Sequence, residues 1–181
     1  MQIESPIVYR DINKQELCVE LFSHFERRQQ VKSCWRKEDG QWVIRETPFV
    51  DDWGPEEYRI LVRCLRHTLE NSGAVFGAFQ AGKLKGFVSV EGKPFGSKGQ
   101  YRDLTSLHVS RDKRGHGIGR TLFQKAADWA RSRGAEKLYI SSHSAVETQA
   151  FYRAMGCVEA QEYQYAHVEK EPYDCQLECR L

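Results

Sequence analysis

The sequence predicts an α/β (α+β) fold: a mixed, largely antiparallel central sheet of about seven strands, flanked by about four helices, with a hairpin inserted near the N-terminus. Three observations carry this. Strand-like and helix-like segments follow one another as strands, helix, strand, helix, strands; an Asp39-Gly40 step lies between two alternating segments; and a glycine-rich stretch, 111–119, joins an apolar strand to a helix with an apolar stripe. With 181 residues, 40% of them hydrophobic, the chain can bury a proper core and is read as one domain, 1–181.

Ser5 to Tyr9 reads as a short strand. Lys14 to Arg28 reads as an amphipathic helix, because Leu17, Leu21, Phe22 and Phe25 recur at helical spacing. Val31 to Trp35 and Trp42 to Thr47 flank the Asp-Gly step and predict an exposed, aromatic-bearing hairpin within 28–48. Gly54-Pro55-Glu56-Glu57 sets proline and acids where a first helical turn favours them, so a helix is expected from Pro55 to Asn71, stopped by Gly73. Ala74 to Gln80 and Leu84 to Glu91 read as antiparallel strands, followed by a loop to Gln100 and a further strand from Leu104 to Val109. Ile118, Leu122, Ala126, Trp129 and Ala130 mark a helix that Gly134 ends. Lys137 to Ser141 is apolar and β-rich, Val146 to Met155 helical, and Val158 to Val168 and Tyr173 to Leu181 read as closing strands.

A net charge of +2 supplies no global field toward nucleic acid or membrane, so any basic site must be local. Neither the pattern of a secretory signal nor an apolar run of the roughly 20 residues a membrane span needs is found, and a cytoplasmic location is expected by default. The six cysteines form no C-x-x-C pair and no zinc spacing, so neither a metal nor a disulfide framework is expected, and most should be reduced and buried.

The stretch Arg111-Asp112-Lys113-Arg114-Gly115-His116-Gly117-Ile118-Gly119-Arg120 calls for explanation. Where a strand ends in glycines and a helix begins, the first helical N–H groups have no backbone partner and share the positive end of the helix dipole. Glycine lets a ligand approach the backbone, and Arg114 and Arg120 add charge-assisted donors, so a pyrophosphate is the natural guest. The spacing is neither the dinucleotide Gly-x-Gly-x-x-Gly nor a P-loop.

Arg114-x-x-Gly117-x-Gly119, after a strand ending Leu107-His108-Val109, resembles the acetyl-CoA motif of the GNAT N-acetyltransferase superfamily. Ala150-Phe151-Tyr152-Arg153-Ala154-Met155-Gly156-Cys157 is similar to that superfamily's later helix signature. The two together span 74–160, with a cofactor-binding core over 103–160. The resemblance implies a GNAT-like fold and acetyl-CoA as co-substrate, with no metal. It implies that backbone amides of Gly115, His116, Gly117, Ile118, Gly119 and Arg120 hold the pyrophosphate, with Arg114 beside them. Leu107, His108 and Val109 would supply the strand that pairs with the pantetheine arm, and Tyr152 would be the general acid that protonates the leaving thiolate.

Ala145 stands where many members carry asparagine, so Ser144 or His143 would take over that contact, or it is lost. Cys157 replaces the usual phenylalanine and reads as core packing rather than a nucleophile. Thr105 occupies the place of the glutamate that several relatives use as general base, leaving Asp103, Glu91, His108 or a water as alternatives. Trp35, Trp42 and the run Phe49-Val50-Asp51-Asp52-Trp53 suit a cationic amine, although Asp51 and Asp52 read rather as helix caps and Trp53 as a staple. The implied activity is acetyl transfer to a primary amine, of a small molecule or else of a protein N-terminus or lysine; a CoA-binding module without catalysis is the alternative. No nucleic-acid or membrane partner is expected. Tyr163, Tyr165 and Tyr173 in the closing segments suit either a homodimer interface or the core.

Overall fold

The computed structural model describes residues 4–181. A seven-stranded sheet is built from β1 (Ile7–Asp11), β4 (Ala74–Gln80), β5 (Lys83–Val90), β6 (Tyr101–Val109), β7 (Lys137–Ser142), β8 (Val158–Glu159) and β9 (Cys175–Arg180), in the order β1-β4-β5-β6-β7-β9-β8. Its described neighbours pair antiparallel except β6 and β7. β2 (Arg28–Glu38) and β3 (Gln41–Asp52) form a separate hairpin, longer than the sequence predicts. The helices are α1 (Pro55–Glu70), α2 (Ile118–Ser132), α3 (Val146–Ala154) and α4 (Tyr165–Lys170).

The sheet has a core on each face. On one, Ile118, Leu122, Phe123, Ala126 and Ala130 of α2 pack on Ala78, Val88, Leu104, Leu138 and Ile140. Contact there is close: a Cβ on Gly86 would stand 2.7 Å from Ile118 Cγ2. On the other face, Leu61 and Leu65 of α1 join Ile12, Leu17, Phe22, Phe25 and Phe87. Phe87 is fully buried, with Phe22 and Phe25 edge-on or tilted at 5.5 and 5.4 Å.

Two expected elements are different. The helix expected over 14–28 is a chain of turns with one short 3-10 segment at Val19–Phe22. Asn13 and Glu16 exchange backbone-to-side-chain hydrogen bonds as a helix start would, but Cys18 is extended (φ −141°) and stops propagation. The apolar spacing is spent on wrapping Leu17, Phe22 and Phe25 into the α1 core. The strand expected over 158–168 pairs for Val158 and Glu159 alone. Buried Ala160 then packs with Tyr101 and Tyr139, the Tyr139 hydroxyl accepts the Gln164 N–H at 2.9 Å, and the chain turns into α4.

Cys34, Cys157, Cys175 and Cys179 are buried thiols, Cys18 is half-buried and Cys64 exposed. Among the described residues no helix is long and apolar enough to cross a membrane, and no group of three or more His, Cys, Asp or Glu is placed to hold a metal.

Candidate active site

The one parallel pair among the described residues opens the site. β6 and β7 are registered over Tyr101–Asp103 and Lys137–Tyr139 and no further; beyond that β6 keeps to β5 and β7 to β9. The two strands splay, and a cleft of about 700 Å³ lies between them. The Ser110 N–H bonds the Lys85 carbonyl at 2.8 Å, so ladder alternation turns the backbone groups of Leu107 and Val109 away from β5 and into this gap. An extended ligand arm can pair there as an added strand.

The glycine-rich elbow forms one end of the cleft. Gly115 and Gly117 both have φ of +78°, a conformation that strains any residue with a Cβ. Gly117 directly precedes α2, whose N-terminus has no side-chain cap and no acid in its first turn. Its first amides are thus left for an anion. Lys113, Arg114 and Arg120 line the same space, and Arg114 Nε donates to the Val109 carbonyl at 3.2 Å. Gly119 lets α2 close on α3, since a Cβ there would lie 3.1 Å from the Phe151 ring. His116, alone among 113–120, does not line the cleft; its Nδ1–H turns back to the Arg114 carbonyl at 2.9 Å.

Tyr152 reaches the cleft from α3, its ring edge-on to Phe151 at 5.1 Å. Burial pushes its phenol above the usual range, which keeps it protonated at neutral pH. The two sequence signatures therefore meet in one cavity.

The candidate bases separate. His108 lines the cleft, but its Nδ1 accepts from Arg27 Nε at 3.1 Å, and burial with Arg27 and Arg114 nearby lowers its pKa to about 3. It is a neutral structural ring, packed on Trp53 and Phe87. Asp103 does not line the cleft and is paired with His167 of α4. Glu91 stands behind Thr105: its Oε1 is 3.2 Å from Thr105 Oγ1 and 2.6 Å from Thr68 Oγ1, while Thr105 itself lines the cleft.

The aromatic and acidic acceptor features resolve otherwise. Asp51 pairs with Arg27 at 2.9 Å and Asp52 faces Arg28 at 4.0 Å, so neither is a free counter-charge or a helix cap. The α1 start is satisfied by Glu57, whose carboxylate accepts the Gly54 N–H at 2.8 Å. Trp53 does act as a staple, edge-on to Tyr58 at 5.8 Å. Trp35 and Trp42 line a separate 160 Å³ pocket. Ser144 is engaged by Arg36 at 2.7 Å, which leaves His143 as the cleft-lining residue near Ala145. Tyr165 and Tyr173 are exposed, whereas Tyr163 is partly buried against Tyr101 and Tyr139.

Sequence reasoning assigns the hairpin to the acceptor side through Trp35, Trp42 and 49–53 but misses the residues that line the cleft. Arg27, Gln29 and Gln30 line the cleft because β2 docks on the β7–α3 turn: Trp35 N–H donates to the Ser144 carbonyl at 2.8 Å, and Gln29 Nε2 to Thr148 Oγ1 at 3.3 Å. These contacts join residues more than a hundred positions apart, and no local spacing encodes them.

No curated protein matches the chain. A profile of the acetyltransferase (GNAT) family matches residues 38–157. Among solved structures, nourseothricin acetyltransferase is 18% identical with a TM-score of 0.69, over 96% of this chain and 98% of that one. A Bacillus anthracis (strain Ames) protein provisionally assigned as a streptothricin acetyltransferase, in complex with acetyl coenzyme A, is 11% identical with a TM-score of 0.73, over 99% of each chain. The PaiA N-acetyltransferase of Thermoplasma acidophilum, in complex with coenzyme A, is 15% identical with a TM-score of 0.61, over 97% of this chain and 99% of that one. At these identities the structures speak for the fold, and the profile, which covers the elbow and the Tyr152 helix, speaks for the lineage: the chain belongs to the GNAT family of acetyltransferases.

Proposed function

We propose that the protein is an acetyl-CoA-dependent N-acetyltransferase that moves an acetyl group directly to a primary amine of a small molecule. The observation that carries this reading is the meeting of an uncapped, glycine-led helix N-terminus and a buried phenol in one cleft between splayed parallel strands.

Acetyl-CoA supplies the activated acetyl group and the sulfur leaving group. The rest falls to the chain's own residues. Amides of Gly115 to Arg120, with Lys113 and Arg114, bind the pyrophosphate oxygens. The backbone of Leu107 and Val109 orients the pantetheine arm toward the point where the strands part. Thr105 takes the proton of the acceptor ammonium on its hydroxyl oxygen and passes its own proton to Glu91, which frees the amine lone pair for attack. As the carbon–sulfur bond breaks, Tyr152 donates its proton to sulfur and recovers one from the newly acylated nitrogen.

The test is release of free thiol from acetyl-CoA over a panel of small amines and peptides with free N-termini. The proposal expects turnover with at least one small amine and a large loss of rate in Tyr152→Phe. Binding of acetyl-CoA without thiol release for any acceptor would favour a binding module and overturn it.

A further inference from the structure

We propose that His143 determines acceptor specificity by donating a hydrogen bond to an oxygen that the acceptor carries near its amine, a carbonyl, hydroxyl or carboxylate oxygen. The inference deepens the acetyltransferase reading and rests on it.

The Nδ1 of His143 accepts the Ala145 amide N–H at 3.0 Å. A backbone amide only donates, so Nδ1 carries no proton and the neutral ring holds its proton on Nε2. The side chain lines the cleft, and its ring rests against Phe49 of the hairpin at 5.4 Å. That hairpin is tied to the same turn by Trp35 and Arg36 through Ser144. His143 is thus a donor held from two sides rather than a mobile base. It directly follows β7, where Phe49 brings the hairpin against its ring.

The surroundings fix the class of acceptor. Asp51 and Asp52 face arginines, and among the described residues the one carboxylate lining the cleft is Glu147, exposed at the rim. Arg27 lines the cleft as well, paired with Asp51, and beside it the wall is neutral and polar: Gln29, Gln30, Thr105, Ser106, Ser141 and Thr148. A polycation would meet the Arg27 guanidinium there, and an amine flanked by an oxygen finds a fixed N–H donor.

The experiment is steady-state kinetics of the full chain with glycinamide and ethanolamine, each compared with propylamine at equal free-base concentration, and with spermidine as the polycation. Wild type, His143→Phe and His143→Gln are measured, each checked for unchanged melting temperature. The proposal expects wild type to favour the oxygen-bearing amines about tenfold in kcat/KM, as one hydrogen bond of this kind allows. His143→Phe should erase that preference, costing the oxygen-bearing amines more than propylamine, and His143→Gln should restore part of it. Equal losses on all amines in His143→Phe, a raised KM for acetyl-CoA, or spermidine as the best acceptor would overturn the proposal while leaving the acetyltransferase reading intact. A wild type that releases no thiol with any amine overturns both.

Discussion

Glu91 Oε1 lies 3.2 Å from Thr105 Oγ1, so a carboxylate stands one hydroxyl behind the cleft wall at the position where the strand itself offers no acid. Thr105 also meets Ser89 Oγ at 2.9 Å, and Thr68 Oγ1 holds the same Glu91 oxygen from α1. The bulge between Ser89 and Val90 brings Thr105 to this face. If the pair relays the acceptor's proton, Glu91→Gln and Thr105→Val should each lower kcat by about a hundredfold, with acetyl-CoA affinity unchanged. Steady-state kinetics beside a binding titration checks this, and variants at full rate would remove Glu91 from the chemistry.

Tyr152→Phe keeps the ring between Phe151 and Phe123 and removes only the acid. The expected loss is on the order of 10² or more in kcat, with little change in the melting temperature. Because burial raises the phenol, the wild-type rate should show no decline from tyrosinate formation up to about pH 10. A pH–rate profile measured alongside the variant reads both.

The elbow makes a separate prediction about the cofactor. Arg114→Ala removes a guanidinium that lines the cleft and holds the Val109 carbonyl, and should weaken acetyl-CoA about tenfold or more, most at low salt. Gly119→Val places carbon where Phe151 already stands and should weaken binding together with stability. Isothermal titration at two salt concentrations separates the electrostatic loss from the steric one.

The Asp103–His167 pair bears on stability rather than chemistry. The hydrogen bond to Asp103 raises the His167 pKa above its ordinary 6.5. A raised histidine stabilises fully below the unfolded value, and the contribution fades as pH climbs through the folded one. The melting temperature of wild type should therefore exceed that of His167→Gln most at about pH 5.5 and least at about pH 9. A gap that grows with pH would contradict the pairing.

How much of this was legible in the sequence differs from element to element. Ala74–Gln80 and the start of α1 at Pro55 appear where the sequence predicts them, because alternation, proline and acids act within a few residues. The elbow was legible for the same reason: a positive φ demands glycine locally, at Gly115 and Gly117. The segment 14–28 misled because helical spacing also suits a chain of turns wrapped on a core, and Cys18 breaks the helix without any helix-breaking residue type. Of the acceptor wall, the hairpin as its source was legible and the lining residues Arg27, Gln29 and Gln30 were not. Their placement depends on β2 docking against the β7–α3 turn, and on Arg27 and Arg28 claiming Asp51 and Asp52, pairings that only the folded chain sets.

The most direct measurement is a thermal shift of the wild-type protein with acetyl-CoA, CoA and ATP side by side. A ligand bound only by the folded state, at about 100 times its dissociation constant, stabilises by roughly 2.7 kcal/mol, which a melting curve resolves. The account predicts stabilisation by both CoA species, little by ATP, and loss of the CoA shift in Arg114→Ala. No shift with either CoA species at saturating concentration would contradict the reading of the elbow, and with it the proposed activity.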